Sequence, residues 1–256
     1  MFSFQSLLSK IQVASTIDFG DLFNESVTLF KKVWVQGLIL QLFSILIMLP
    51  IIFFYVPYFQ LVLENSSNGV MDSAALGQEL IDAYGSSLLW IYLVMLLGSL
   101  VSYVLYLGFY RIVKQIDHGQ AFVFSELFHF FKAASIGKSF GLAVTHMFIS
   151  ILATLLCFLP IIYAIVPLMF LLPVFAYNSN LSTSEIVKVS FALGNKKWGI
   201  VFLTLILNGI LIYVIAIVTC GLGTLFVSCF LYLPQYIIYK KVIGFDGPKE
   251  VVQSID

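Results

Sequence analysis

Formal charge is what this sequence has least of. Aspartate, glutamate, lysine and arginine make up 10% of its 256 residues, against about 25% in a soluble globular domain. With 61% of residues hydrophobic and a mean hydropathy of +1.03, too little polar surface exists to face water. That excludes a soluble protein and leaves an integral membrane protein. Cysteine is also sparse. Cys157, Cys220 and Cys229 lie in or beside apolar runs, and no Cys-x-x-Cys occurs, so a metal site built on thiolates is excluded. Small, soft packing is the expected role of all three, with a Cys157–Cys220 disulfide the less favoured alternative.

Signatures of catalysis are missing too. The sequence has no His-Glu-x-x-His, no Gly-x-Ser-x-Gly, no Gly-x-x-x-x-Gly-Lys and no aspartate pair in adjacent apolar runs, so no enzyme and no cofactor are expected. Arg111 is the single arginine, and no extended basic patch occurs. A nucleic-acid partner is therefore not expected, whereas membrane lipids are. The first residues, Met1 to Ile17, lack an apolar core of signal-peptide length. Phe4, Leu7, Leu8 and Ile11 share one helical face, which predicts a short helix lying on the membrane.

Long uncharged runs are abundant. A crossing needs about 20 apolar residues. On that measure Val33–Leu63 and Ala83–Tyr110 each hold one span, Ser139–Ser184 holds two divided at Pro160, and Trp198–Tyr239 holds two divided at Cys220–Gly223. Six spans are predicted, near 35–57, 87–110, 139–159, 161–178, 198–219 and 222–240.

The 13 basic residues are distributed unevenly. All fall in the N-terminal segment, between spans two and three, between spans four and five, or after span six. The loop 64–86 carries Glu64, Asp72, Glu79 and Asp82 but no Lys or Arg. By the positive-inside rule both termini are cytoplasmic, and the expected location is a bacterial inner membrane. Lys31, Lys32, Lys196, Lys197, Lys240 and Lys241, with Trp34 and Trp198, then sit at cytoplasmic span ends as interface anchors. In the loop 64–86, Asp72 is the expected cap of a short helix over 73–84, with Asn65–Ser67 and Gly69 forming a turn. The tail 242–256 is expected to be short and polar.

An amphipathic segment precedes each outgoing span. Phe19-Gly20-Asp21-Leu22-Phe23 and Phe124-Ser125-Glu126-Leu127-Phe128 are chemical near-copies, and Ser182-Thr183-Ser184-Glu185 has capping-box spacing. Gly194-Asn195 reads as a helix stop. The expected fold is therefore all-α: a six-transmembrane-helix bundle with three cytoplasmic-side interfacial helices. It is built as three helix-plus-hairpin units over 18–110, 122–178 and 182–241 of a single membrane domain.

Few polar groups enter the spans. His146 is the one ionisable candidate; with no carboxylate at membrane depth, a packing role near the interface is favoured over a proton or ligand site. Gln41 and Asn208 lie at similar depth in the first spans of units one and three, and they are expected to bond helices together, possible partners of each other. Pro167 and Pro173 both fall inside span four, where they frame either an accommodated kink or a broken helix beside a groove.

The stretch LSTSEIVKVSFALGNKKWGIVF, then CGLG, then LPQYIIYKKVIGFD resembles a broad group of bacterial polytopic membrane proteins. That group includes the membrane domain appended to some glycerophosphodiester phosphodiesterases. The resemblance is clearest over 165–245. It implies a surface helix followed by a hydrophobic hairpin and carries over no catalytic residue. Together these features point to a non-catalytic scaffold or accessory subunit packed on another integral membrane protein. The alternative is a transporter of lipid or a small apolar substrate working at the Pro-kinked fourth span.

Overall fold

The computed structural model describes residues 2–67, 73–156 and 159–245. Asp72, Gly69, Cys157 and the tail 246–256 lie outside the described residues. The described chain is helical, with no strand, and five of its helices are long and apolar enough to cross a membrane: Phe19–Pro50, Leu89–Asp117, Ala133–Leu155, Pro160–Tyr177 and Trp198–Val218.

Helix α1 spans Phe4–Gln12, capped by the Ser3 hydroxyl. Part of its apolar face turns into the protein. Leu7 and Ile11 are buried in the core, and α1 packs against α7 (Thr183–Lys196). Next comes α2, Phe19–Ser67, one unbroken helix of 49 residues. The expected interfacial helix and first span are thus continuous, because Trp34-Val35-Gln36-Gly37 contains no residue that stops helical winding. Helix α3, Ser73–Asp117, likewise begins inside the predicted loop 64–86 and runs straight into its span.

The second interfacial segment is a 3₁₀ helix, Phe124–Phe131. It ends at Lys132, whose backbone is extended, before α4, Ala133–Leu155. Two contacts bind it to α3. Arg111 donates to Glu126 at 2.6 Å, and Gly108 lets the Leu127 carbonyl approach so closely that a Cβ there would collide with it. The third segment, α7, is a separate α-helix with the expected capping box: Ser182 accepts from the Glu185 N–H, and Glu185 accepts from the Ser182 N–H at 2.8 Å. These bonds hold the Glu185 carboxyl below the usual carboxylate range.

The fourth predicted span divides into α5, Leu159–Met169, and α6, Leu171–Tyr177. After α8, Trp198–Val218, the region expected to form span six is more broken still: α9, Thr224–Val227, a 3₁₀ segment Ser228–Tyr232, and α10, Leu233–Val242. It is not among the five candidate spans. Pro234 supplies the physical reason: it has no N–H for the Phe230 carbonyl, and the winding tightens just before it.

Burial divides the helices into two sets. Within the best membrane-spanning stretch, 17% of α2, 22% of α4 and 17% of α8 is buried, against 39% of α3 and 61% of α5–α6. Helix α10 is buried from Leu233 through Tyr239 without a gap. A helix buried on every side belongs to the centre of a bundle. The core is therefore the C-terminal half of α3 with α6 and α10, and α2, α4 and α8 lie outside.

Tyrosine hydroxyls tie this core together. Tyr177 donates to the Tyr110 carbonyl at 2.6 Å, Tyr110 donates to the Tyr232 carbonyl at 3.0 Å, and the Asn178 amide donates to the Tyr239 hydroxyl at 2.7 Å. The Tyr236 hydroxyl donates to Asp117 at 2.7 Å, and Lys240 reaches the same carboxylate at 2.6 Å. Removing one member of a buried pair costs about 1–3 kcal/mol. Tyr177→Phe should therefore lower the detergent melting temperature measurably, while Tyr213→Phe, on an exposed face of α8, should leave it unchanged.

Gly194 sits within α7 rather than beyond its end, so it is not a helix stop. A Cβ there would lie 2.5 Å from Pro167 Cα. Its role is to admit the backbone of α5. Overpacking typically costs about 1–3 kcal/mol. Gly194→Ala should reduce folded yield, whereas Gly199→Ala, with open space around it, should be neutral or stabilising.

Candidate functional site: a cavity at two helix breaks

Pro167 deprives the Tyr163 carbonyl of its usual helical donor four residues on. The Trp198 indole N–H replaces it at 3.1 Å, and the Tyr163 hydroxyl donates to Asn195 at 2.6 Å. Trp198, expected as an interface anchor, thus also repairs a break in a neighbouring helix. Six residues later Pro173 removes a second donor. Between the two prolines the chain tightens by one residue, the Phe170 N–H donating to the Pro167 carbonyl at 3.1 Å, and α-helical bonding resumes with the Val174 N–H on the Phe170 carbonyl at 3.0 Å. The outcome is the discontinuity between α5 and α6.

A cavity of about 660 Å³ opens beside this discontinuity and beside the 3₁₀ segment before α10. Such a volume falls within the range of about 300–1,000 Å³ for small-molecule sites. Leu168, Met169 and Leu172 flank it at the first break, and Leu231 and Tyr232 at the second. Pro167 and Pro173 do not line it. Pro167 packs on Gly194 and Pro173 is buried.

The opposite wall carries the cavity's polar groups, interspersed with Ile45 and Met48. Helix α2 contributes Gln41 and Ser44; α3 contributes Ser99, Ser102, Tyr103 and Tyr106; α4 contributes His146 and Ser150. None of the described lining residues is Asp, Glu, Lys or Arg. His146 lies midway along α4, and its ring faces Tyr103 at 5.2 Å between centroids. Tyr106 and Tyr232 are 4.5 Å apart in the same way. The Ser102 and Tyr103 hydroxyl oxygens are buried without a hydrogen-bond partner. Among the described residues no three His, Cys, Asp or Glu side chains converge on a metal position.

Sequence reasoning placed Gln41 and His146 among the polar candidates, and the structure brings both to this cavity. It does not pair Gln41 with Asn208. Gln41 accepts from Ser228 at 3.2 Å, while Asn208 is buried with its carbonyl oxygen unpartnered. Sequence reasoning missed Ser102 and Tyr103. Their signal was present as a Ser-Tyr pair in an uncharged span, but nothing in one sequence marks which face of α3 they occupy.

The predicted anchors behave variously. Lys31, Lys32 and Trp34 are exposed, Trp34 lying against Phe226. Lys197 is buried, not snorkelling: its ammonium group donates to the Ser15 carbonyl, and burial lowers its pKa. Lys196 donates to the Gln12 carbonyl at 3.1 Å and Lys10 to the Ile243 carbonyl at 2.6 Å. Lys241 pairs with Glu25 at 2.7 Å. These cations fasten the two ends of the chain to one end of the bundle.

No family model, curated protein or solved structure matches the chain. What the fold defines is an all-helical membrane protein, with an uncharged cavity among its apolar helices.

The Trp198–Tyr163 bond allows a double-mutant test. Coupled neighbours show interaction energies of about 0.5–3 kcal/mol. Trp198→Phe should destabilise the natural protein. In a Pro167→Ala background, where an amide again serves the Tyr163 carbonyl, the same change should cost less. Equal costs in both backgrounds would remove the repair role.

Proposed function

We propose that the protein handles a lipid-like molecule within the membrane, holding it in the cavity at the two helix breaks. The carrying observation is that both interrupted helices, α5–α6 and the 3₁₀–α10 region, border the same 660 Å³ space. Irregular backbone at membrane depth is tolerated where protein buries it or where it lines a cavity, and discontinuous helices at mid-depth are a recurrent device of transporters. An accessory subunit needs only a sealed bundle, so the cavity moves the balance from that reading to this one.

The topology in this proposal has six crossings, with the broken 224–242 region as the sixth, and three helix-plus-hairpin units. Both termini face the cytoplasm of a bacterial inner membrane. Support comes from the basic residues: Lys10, Lys196, Lys197, Lys240 and Lys241 gather at one end of the bundle, as the positive-inside rule requires of a cytoplasmic end. No catalysis, cofactor or nucleic-acid partner belongs to the proposal.

Photolabelling in vesicles tests it. A lipid carrying a diazirine in its acyl chain should label cavity segments of α3, α4 and α5, and Ile161→Trp or Leu205→Trp, which fill the space, should suppress that labelling. Labelling confined to the outer faces of α4 and α8, unaffected by either variant, with a membrane protein co-purifying stoichiometrically, would establish the accessory subunit instead.

A further inference from the structure

We infer that the cavity takes an uncharged lipid whose headgroup presents oxygen acceptors, such as ester, ketone or hydroxyl oxygens, with Ser102, Tyr103 and His146 as its headgroup-binding residues. This rests on the lipid-handling reading and names its ligand class.

Three observations converge. Ser102 is only 9% exposed and its hydroxyl has no partner, although it borders the cavity. A serine in a helix normally returns its proton to a carbonyl of the preceding turn, as Ser44 does at 3.0 Å and Thr204 at 2.7 Å here. The Tyr103 hydroxyl is also buried and unpartnered on the same wall. Buried polar groups are nearly always satisfied in proteins, so two orphans side by side on one cavity wall mark where a ligand supplies the missing partner. Each hydroxyl can donate as well as accept, and an acceptor oxygen on the ligand is what takes up the unused proton of either. His146, against the Tyr103 ring, adds one donor and one acceptor nitrogen when neutral.

Charge sets the remaining limit. Without Asp, Glu, Lys or Arg among the described lining residues, a phosphate or ammonium headgroup would enter an apolar space unpaired, which is strongly unfavourable. The bound headgroup must therefore be neutral. Ser102 and Tyr103 on α3 and His146 on α4 all fall within candidate membrane spans, so these groups lie where water cannot readily replace a ligand.

The test uses the full chain in vesicles with four diazirine probes: a diacylglycerol, an isoprenoid quinone, a phosphatidylglycerol and a plain alkane. Diacylglycerol or quinone should label the cavity in preference to phosphatidylglycerol, and whichever does so identifies the source of the acceptor oxygens. Ser102→Ala with Tyr103→Phe, which keeps the ring and the cavity shape, should weaken that labelling about five-fold, the range of one or two lost hydrogen bonds. The double variant should leave alkane labelling unchanged. If phosphatidylglycerol labels as well as the neutral lipids, or if the double variant changes nothing, the headgroup assignment is overturned while the cavity reading stands. If no probe labels the cavity, the lipid-handling reading itself falls.

Discussion

Hydrogen bonds from tyrosine hydroxyls to backbone carbonyls hold the centre of this protein. In lipid, apolar side chains gain nothing by leaving the solvent, so helices need close packing and polar contacts to choose one arrangement. The Tyr177–Tyr110 and Tyr110–Tyr232 bonds link α6 to α3, and α3 to the turn before α10. Tyr232 ends the 3₁₀ segment and caps the start of α10, so the Tyr110 bond ties α3 to the point where the winding changes.

From this centre the remaining layout follows. Helices α3, α6 and α10 are buried, so α2, α4 and α8 surround them and present most of the apolar surface to lipid. Both interruptions lie in the buried set, where neighbours can serve freed carbonyls, as Trp198 serves Tyr163. Above the interlock the core helices no longer fill the space between the outer ones, and the cavity occupies the gap. The wall that carries its polar groups comes from α2, α3 and α4, the wall facing it from the broken helices.

Much of this was legible in composition and charge spacing. Uncharged runs located the membrane helices, and Pro167 with Pro173 marked the break between α5 and α6. The Ser182 capping box forms as its spacing requires. Other features carried no local mark. Lys31 and Lys32 suggested a boundary between a surface helix and a span, but charge alone does not stop a helix and α2 continues through it. Tightening at Ser228–Tyr232 precedes the proline that accompanies it. Burial of Lys197 depends on the Ser15 carbonyl, 182 positions away, and the tyrosine bonds end on carbonyls, which every residue has. Gly194 resembled a helix stop because a sequence does not show Pro167 pressing against it.

The central claim is that α10 lies inside the bundle while α8 faces lipid, and fluorescence quenching by brominated lipids measures this directly. Tryptophan placed at Tyr239 or at Tyr213 should be read in vesicles as the gain over the parent protein. Strong quenching at position 213 and little at 239 is the predicted result. Equal quenching at both positions would put α10 against lipid and contradict the account.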